Sequence, residues 1–243
     1  TFLQRFCSKS FPEAVEYLLN YHGRTRDSPA RPHPKAMTEP EKIPFALPQA
    51  NTDHRRVFAY LQKRGIAPQV IRAFLSSGLL YEDAQHHNCV FVGRDASGEP
   101  RFASRRGTYD LNGPGFKRDV AGSDKCVAFR LPSRPELDWV LVFEAPIDLM
   151  SYLTLHRQVT SNAIALCGLY EGALDTYLQD APHIRRIALC LDTDGPGQAA
   201  AERLQAKYEG LGYIVKIQRP PRGKDWNEYL QQRCIKERRL EIS

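Results

Sequence analysis

Four short apolar segments in the second half of the chain alternate with helix-forming segments, and this alternation restricts the possible folds more than any other feature. The apolar segments are WVLVF, AIALC, RIALCL and YIVKIQ. Strands that alternate with helices form a parallel sheet, because each connecting helix returns the chain to the same edge of the sheet. The pattern therefore predicts an α/β domain over residues 136–232, with a parallel sheet flanked by helices.

The part of the chain before this domain has a different pattern. Residues 51–135 begin with two helical segments, HRRVFAYLQKRG and APQVIRAFLSSG, and continue with strand-like segments around glycine-containing turns. We expect a smaller mixed α+β subdomain here, mainly antiparallel and basic. Residues 24–50 are rich in proline and charge, which predicts a linker. Residues 1–23 are predicted to hold two short helices, and residues 233–243 to form a C-terminal tail.

The composition is that of a mildly basic globular protein. The 243 residues carry a net charge of +6, and the pI is about 9.0, which is compatible with a nucleic-acid partner. No segment approaches the roughly 18 apolar residues of a membrane span, so no membrane association is expected. Six scattered cysteines without a C-x-x-C pair indicate reduced thiols in a cytoplasmic protein. The HHNC segment at residues 86–89 lacks a nearby fourth zinc ligand, and an ordinary turn is the favoured interpretation.

Acidic residues follow three of the predicted strands at their carboxyl ends. Glu144 follows the first strand, Asp192 and Asp194 follow the third, and Asp225 follows the fourth, while Asp148 lies one helical turn after Glu144. Functional groups of parallel sheets gather at this edge. Each residue alone also fits a structural role at a helix N-terminus. Several like charges at one edge are costly unless a cation neutralises them, and this favours a Mg²⁺ site.

Four segments resemble, in order, the motifs of a Toprim domain, the catalytic fold shared by bacterial primases, topoisomerases and some nucleases. They are VLVFEAPIDLMSYL, NAIALCGL, IALCLDTDGPGQAA and RGKDWNEYL, within residues 138–232. GKDWNEYL is similar to the last motif of the primase branch, and YLQKRGIAPQVIRAFLSSGLLY to the helix pair that opens the primase core. Residues 1–23 resemble the tail of the primase zinc-ribbon domain. RFASRRGT and FKRDVAGSDKCVAF resemble primase-like proteins of conjugative and other mobile elements.

The resemblance implies a primase-type RNA polymerase core that makes RNA primers from NTPs on single-stranded DNA, with a replicative or element-encoded helicase as a possible partner. Zinc is expected only in a region upstream of residue 1. The chain departs from the usual pattern where Ala145-Pro146 follows the first glutamate, in place of a glycine. Glu144 resembles the general acid/base glutamate of the family. Binding of Mg²⁺ or Mn²⁺ is assigned to Asp192, Asp194, Asp148 and Asp225.

Two further sets of residues are assigned to substrate contacts. The helix after the third strand offers N–H groups to a phosphate, and phosphate binding is assigned to Gly195, Gly197 and Lys224. Residues 94–134 contain an excess of Lys and Arg, which indicates either a template surface or a solvated basic face. Phe102, Tyr109 and Phe116 lie among them as candidates for base stacking or for the core. The candidate nucleic-acid-binding residues are Arg101, Arg105, Arg106, Lys117, Arg118 and Lys125.

Other functions fit parts of the same pattern. A Toprim nuclease would use the same carboxylates to hydrolyse phosphodiesters, and a catalytically silent Toprim module would only bind DNA or a replication partner. The presence of all the acidic sites argues against the silent module. A phosphatase with a DxD nucleophile loop carries that motif on its first strand, whereas here it follows the third. Primer synthesis is therefore the leading hypothesis and hydrolysis the alternative.

Overall fold

The computed structural model describes Tyr17 and residues 43–109, 115–157 and 161–242, with side chains through residue 237 in the last range. The predictions for residues 1–42, other than at Tyr17, lie outside the described residues. Residues Ile43–Ser243 form one compact unit. No helix in the described ranges is long and apolar enough to cross a bilayer.

Helices and strands follow the order that the sequence predicts. The helices are α1 (Arg55–Lys63), α2 (Pro68–Ser76), α3 (Pro146–Leu155), α4 (Gly172–Asp180), α5 (Gly195–Gly210) and α6 (Trp226–Ile242). The strands are β1 (Leu80–Glu82), β2 (Cys89–Arg94), β3 (Pro100–Arg106), β4 (Lys117–Asp119), β5 (Phe129–Arg130), β6 (Trp139–Phe143), β7 (Ala163–Ala165), β8 (Arg186–Leu189) and β9 (Ile214–Ile217). Helix α6 continues through most of the segment predicted as a C-terminal tail.

The upstream strands form an antiparallel sheet in the order β1-β2-β3-β4. This matches the mixed, mainly antiparallel subdomain predicted for this part of the chain. Its strands follow one another along the chain, so each pairing closes a short loop. Residues 43–50, inside the segment predicted as a linker, lie against this sheet. Tyr81 Oη donates a hydrogen bond to the Pro48 carbonyl at 2.6 Å, and Phe45 and Leu47 pack beside its small outer core.

The downstream strands form a second sheet in the order β5-β7-β6-β8-β9. The four strands β6 to β9 are parallel, as the alternation predicts. Strand β5 is an addition to the predicted sheet, and it pairs antiparallel with β7. The segment between β5 and β6 contains no helix. Strand β5 is therefore not joined to the rest of the sheet by the helical crossover that makes strands parallel.

Helices cover both faces of the second sheet. One face packs against α3 and α6, and its core continues into α1, α2 and the first sheet through Phe91 and Phe129. The other face packs against α4 and α5 in a separate core. The two sheets approach each other closely at Gly93, where a Cβ atom would overlap the Ala128 carbonyl oxygen. Because the core on the α3 and α6 face continues into the first sheet, that sheet has a fixed position beside the carboxyl edge of the second sheet.

The buried carboxylate of Glu82 connects β1 to the N-terminus of α1. Its Oε2 accepts hydrogen bonds from the backbone N–H groups of Arg56 and Val57, both at 3.1 Å. Its Oε1 lies 2.6 Å from His87 Nδ1 and accepts from Asn51 Nδ2 at 3.0 Å. A helix N-terminus has unsatisfied N–H groups that favour negative charge, and α1 has no capping side chain of its own.

Replacing Glu82 with Ala should therefore lower the free energy of unfolding by about 2 to 4 kcal/mol, because buried donors lose a charged acceptor. Denaturant unfolding followed by circular dichroism measures this change. Glu99→Ala, on the exposed turn between β2 and β3, is the control and should change stability by no more than about 0.5 kcal/mol. Equal stability of the two variants would contradict the capping role.

Candidate active site

The predicted acidic residues meet where the order of the parallel strands reverses. Strands β6 and β8 are neighbours, but α3 leads from β6 to β7 on one side and α5 leads from β8 to β9 on the other. The loops after β6 and β8 therefore diverge and leave a crevice, which is where α/β sheets bind ligands. Glu144 follows β6, and Asp192 lies three residues after the end of β8.

A cavity of about 290 Å³ occupies this crevice. All five predicted acidic residues line it, although they come from three separate places along the chain. Basic residues from α1, the first sheet and the loop before α6 line the same cavity. The acidic members are Glu144, Asp148, Asp192, Asp194 and Asp225, and the basic members are Arg64, Arg105, Arg106, Lys117 and Lys224.

The start of α5 is seated against the segment that carries Asp192 and Asp194. Asp194 is the N-cap of α5, and its Oδ1 accepts a hydrogen bond from the Gly197 N–H at 3.0 Å. A Cβ atom on Gly197 would overlap the Asp192 carbonyl oxygen and lie 2.9 Å from the carbonyl carbon. Glycine at this position therefore allows the helix to approach the backbone of Asp192. The Gly197 N–H donates to Asp194 in this structure, and its role in phosphate binding stays a prediction.

Gly197→Ala should displace the Asp192 segment and lower the free energy of unfolding by about 1 to 3 kcal/mol, because backbone atoms must move to make room. Gly195→Ala is a matched control in the same helical turn, since a Cβ atom there meets nothing within 4 Å. Thermal unfolding of the two variants measures the difference. If both variants match the parent, the contact between α5 and Asp192 is less tight than the structure shows.

Asp148 on α3 and Asn227 on α6 connect these two helices beneath the cavity. The backbone N–H of Asn227, at the start of α6, donates to Asp148 Oδ1 at 3.0 Å. The Asn227 side chain donates to Ser151 Oγ and to the Arg64 carbonyl, both at 3.0 Å, and accepts from Arg64 Nη1 at 2.8 Å. Asn227 thereby positions an acidic residue and a basic residue at once. Neither Arg64 nor Asn227 was predicted as a site residue.

Asp225 and Thr193 fix the loop that enters α6. Asp225 Oδ1 accepts from the Glu228 N–H at 2.7 Å, and Glu228 Oε2 accepts from the Lys224 N–H at 2.9 Å. The backbone N–H of Thr193 donates to the Lys224 carbonyl at 2.7 Å. The capping roles that the sequence offered as alternatives for Asp194 and Asp225 are thus present. Each of these capping contacts uses one carboxylate oxygen. In the described part of the chain, the other oxygen of each residue accepts no backbone hydrogen bond.

Burial, together with the charges of neighbouring carboxylates, raises the pKa of three acids in this cavity. Burial, followed by the charges of Asp225 and Asp192, raises the pKa of Asp148 to about 8. Burial and the neighbouring Glu144 raise the pKa of Asp192 to about 7. Burial also raises the pKa of Glu144, while Lys117 opposes the shift. Asp225 raises the pKa of Lys224, so this lysine stays charged beside the acids. Perturbed groups that share a cavity are typical of functional sites.

Asp148→Asn should stabilise the protein in metal-free buffer, and more so at pH 8 than at pH 5. The pKa of Asp148 is raised in the folded state, so ionisation disfavours folding as the pH rises from about 4, the ordinary value, toward 8. An asparagine oxygen still accepts the hydrogen bond from Asn227 but carries no charge. Thermal unfolding of parent and variant across this pH range measures the effect. A stability difference that does not grow with pH would contradict the assignment.

The predicted nucleic-acid-binding residues divide into two groups. Arg105, Arg106 and Lys117 line the acidic cavity. Arg101 and Lys125 instead form ion pairs with Asp95 at 2.9 Å and Asp119 at 3.1 Å. Arg118 is exposed on β4 and is not among the residues that line the cavity.

The three aromatic residues of the basic segment also differ in position. Phe102 is 1% exposed and belongs to the core, whereas Tyr109 and Phe116 are about half exposed. Arg56 stacks over Tyr109, with its Cζ 4.2 Å from the ring centroid, and Arg105 lies over Phe116 at 5.5 Å. Only Tyr109 and Phe116 therefore remain candidates for contact with bases.

The chemistry of the cavity suits a hard cation. In the described ranges, no three His, Cys, Asp or Glu side chains are close enough to form a ready-made metal site. Mg²⁺ does not require one, because it keeps several waters and binds proteins through one or two carboxylates. The cavity supplies several carboxylate oxygens from Glu144, Asp148, Asp192, Asp194 and Asp225, so the residues fit such an ion. The HHNC segment does not fit zinc, since Cys89 is buried in the core and His87 pairs with Glu82.

Fold and site together define a Toprim-like domain with a basic antiparallel sheet beside its acidic edge. Residues 141–230 match the Toprim_2 family, described as Toprim-like, and residues 59–134 match a family described as a protein of unknown function, DUF3991. Residues 141–230 therefore have a Toprim-like fold, as the motifs predicted.

Two relatives are described as uncharacterised proteins. The Bacillus anthracis protein pXO2-78 is 27% identical over 252 residues, which cover 93% of this chain and 71% of that protein. A homologue of MG010 from Mycoplasma pneumoniae is 30% identical over 96 residues, which cover 39% of this chain and 44% of that protein. The first similarity extends over nearly all of the chain, beyond the Toprim-like domain.

Solved primase structures share the fold. The RNA polymerase domain of Mycobacterium tuberculosis primase DnaG superposes with a TM-score of 0.55 at 17% identity, over 76% of this chain and 74% of that one. The primase fragment of the bacteriophage T7 primase-helicase gives 0.54 at 16%, over 75% and 73%. The Aquifex aeolicus primase with its zinc-binding and RNA polymerase domains gives 0.54 at 17%, over 98% and 68%. The chain thus has the fold of primase catalytic cores.

Proposed function

We propose that this chain is the catalytic core of a primase-type nucleotidyltransferase, which makes RNA primers from NTPs on single-stranded DNA in a divalent-metal-dependent reaction. The observation that supports this most directly is the cavity between β6 and β8, which is lined by five carboxylates and five basic residues. Nucleotidyl transfer brings polyphosphate, metal ions and a nucleic-acid backbone together, and it needs both kinds of charge in one place.

The acidic residues would have different roles in this reaction. Asp192 and Asp194, supported by Asp225 and Asp148, would bind Mg²⁺ or Mn²⁺, which neutralises phosphate charge and lowers the pKa of an attacking hydroxyl. Glu144 is the candidate acid/base group, because burial raises its pKa toward the range in which a carboxylate accepts a proton efficiently. It follows β6 directly and is positioned by the strand, so its distance from the Asp192 segment is set by the sheet.

The basic residues would bind the anionic substrates. Arg64, Arg105, Arg106 and Lys117 reach the cavity from α1 and the first sheet, and Lys224 reaches it from the opposite loop. Arginine suits phosphate because its planar group donates two parallel hydrogen bonds. These residues therefore provide places for the triphosphate and for the template backbone on either side of the carboxylates.

Single-stranded DNA and a helicase are the partners that this proposal includes. A DnaG primase catalytic domain of the same fold has been solved bound to single-stranded DNA, and the T7 fragment comes from a primase-helicase protein. We extend these partners to this chain because the basic wall of the cavity offers room for a strand. A primer-making reaction also agrees with the predicted cytoplasmic location.

Primer synthesis by the complete natural protein, with labelled NTPs, a mixed-sequence single strand and Mn²⁺, tests the proposal. Asp192→Asn should abolish product and weaken metal binding measured by calorimetry. Glu144→Gln should reduce synthesis by roughly 10²- to 10⁴-fold with metal and DNA binding unchanged. Glu99→Gln, on an exposed turn outside the cavity, is the control with the same chemical change and should behave like the parent.

Other outcomes identify the alternative functions. Shortening of the DNA strand that depends on Asp192, without primer synthesis, would show a nuclease that uses the same carboxylates. DNA binding with neither reaction would show a silent module. Either result would overturn the proposed polymerase activity.

A further inference from the structure

A second basic surface lies on the far side of the loop that carries Lys224. It is a groove of about 470 Å³ between this loop and the exposed side of α6. Sequence analysis placed the nucleic-acid-binding residues within residues 94–134 and assigned no site residue among those that line this groove. The groove, called the α6 groove below, is lined by Pro221, Arg222, Tyr229, Gln232, Arg233, Lys236 and Glu237.

The α6 groove has a surplus of positive charge. Arg222, Arg233 and Lys236 are all exposed, and Glu237 is the one carboxylate among the described lining residues. Glu237 pairs with Arg233 at 3.2 Å across one helical turn. Arg222 and Lys236 form no ion pair with any residue that the structure describes. Two positive charges are thus left uncompensated along the groove, which attracts an anion that extends over several charges.

The groove also contains aromatic surface. Tyr229 is partly buried and packs edge-on against Trp226, with ring centroids 6.5 Å apart at 82°. That contact fixes the orientation of the tyrosine ring beside the arginines. Aromatic rings alternating with cations are typical of surfaces that bind single-stranded nucleic acid, because bases stack while phosphates pair with the cations. An acidic protein segment would use the charges but would gain little from the ring.

The α6 groove is rigidly connected to the acidic cavity. Arg222 lines the groove and Lys224 lines the cavity, so one residue, Gly223, separates them along the chain. Thr193, between Asp192 and Asp194, fixes this loop: its N–H donates to the Lys224 carbonyl at 2.7 Å, and its hydroxyl lies 3.3 Å from the Gly223 carbonyl. The groove and the cavity therefore share one short loop that hydrogen bonds to the segment carrying Asp192 and Asp194.

We propose that the α6 groove binds the backbone of a single-stranded nucleic acid as it enters or leaves the acidic cavity. This inference rests on the proposed function, since it takes a nucleic acid to be the substrate of that cavity. It adds a second contact surface, formed by other residues than Arg105, Arg106 and Lys117. The phosphates of the strand would contact Arg222, Arg233 and Lys236, and one base would stack on Tyr229.

Binding of a fluorescently labelled single strand, measured by anisotropy over a range of salt concentrations, tests this proposal. The variant Arg222→Gln/Arg233→Gln/Lys236→Gln should bind more weakly. The slope of log K against log salt should fall by about 2, because three phosphate contacts each release about 0.7 counterion on single strands. The control Arg72→Gln/Arg185→Gln/Lys216→Gln removes the same charge from exposed positions outside the groove and should keep the parent slope.

Tyr229→Leu separates nucleic acid from other polyanions. It should weaken binding of the single strand by about tenfold through lost stacking and leave binding of polyglutamate unchanged. Far-UV circular dichroism and thermal unfolding establish that each variant is folded. Parent-like DNA binding by the triple groove variant would overturn the proposal. So would a triple variant that loses polyglutamate binding but not DNA binding, which would assign the groove to an acidic protein.

Repeating the binding measurements in the Asp192→Asn background separates this inference from the proposed function. Binding does not require turnover, so the groove variants should show the same losses there. If the protein makes no primers but the groove variants still lose DNA binding, the proposed reaction fails and the groove stands. If primers are made and the groove variants bind like the parent, the groove inference alone fails.

Discussion

Repulsion among five neighbouring carboxylates, of which Asp194 alone is exposed, is the constraint on which the rest of this structure depends. Glu144, Asp148, Asp192, Asp194 and Asp225 share one cavity, and without a counter-charge such a group is unfavourable. The fold meets this constraint in two ways. Backbone N–H groups donate to Asp148, Asp194 and Asp225, and basic residues surround the remaining space. The carboxylates that line the remaining space offer oxygen ligands suited to a metal ion.

The counter-charges come from a different part of the chain than the acids. Arg105, Arg106 and Lys117 lie on the antiparallel sheet, and Arg64 ends the first helix. The shared core around Phe91 and Phe129 brings that sheet to the acidic edge. The upstream subdomain is therefore part of the site itself, because the cavity has one wall from each sheet. A Toprim-like domain without it would have carboxylates with few neutralising partners.

The acidic half of the site could be predicted from the sequence because its geometry follows from strand order alone. Residues at the carboxyl ends of parallel strands must share an edge, so Glu144 and Asp192 were found without any tertiary information. Arg64 and Asn227 were not found, because their contact joins positions 163 residues apart and no local pattern encodes it. The pairing of β5 with β7 is equally non-local. Arg101 and Lys125 did carry a local signal, since Asp95 and Asp119 are close enough in sequence to neutralise them.

The link from Arg64 through Asn227 to Asp148 also bears on the order in which the chain folds. Contacts between distant positions form late, because closing a long loop costs chain entropy before the contact contributes any stabilisation. Each helix and hairpin can form while the carboxylates are still far apart and fully hydrated. The electrostatic cost of the site therefore arises only as these distant segments come together, when β6 pairs with β8 and α6 packs on α1 and α3. The same contacts bury the apolar surface that offsets this cost.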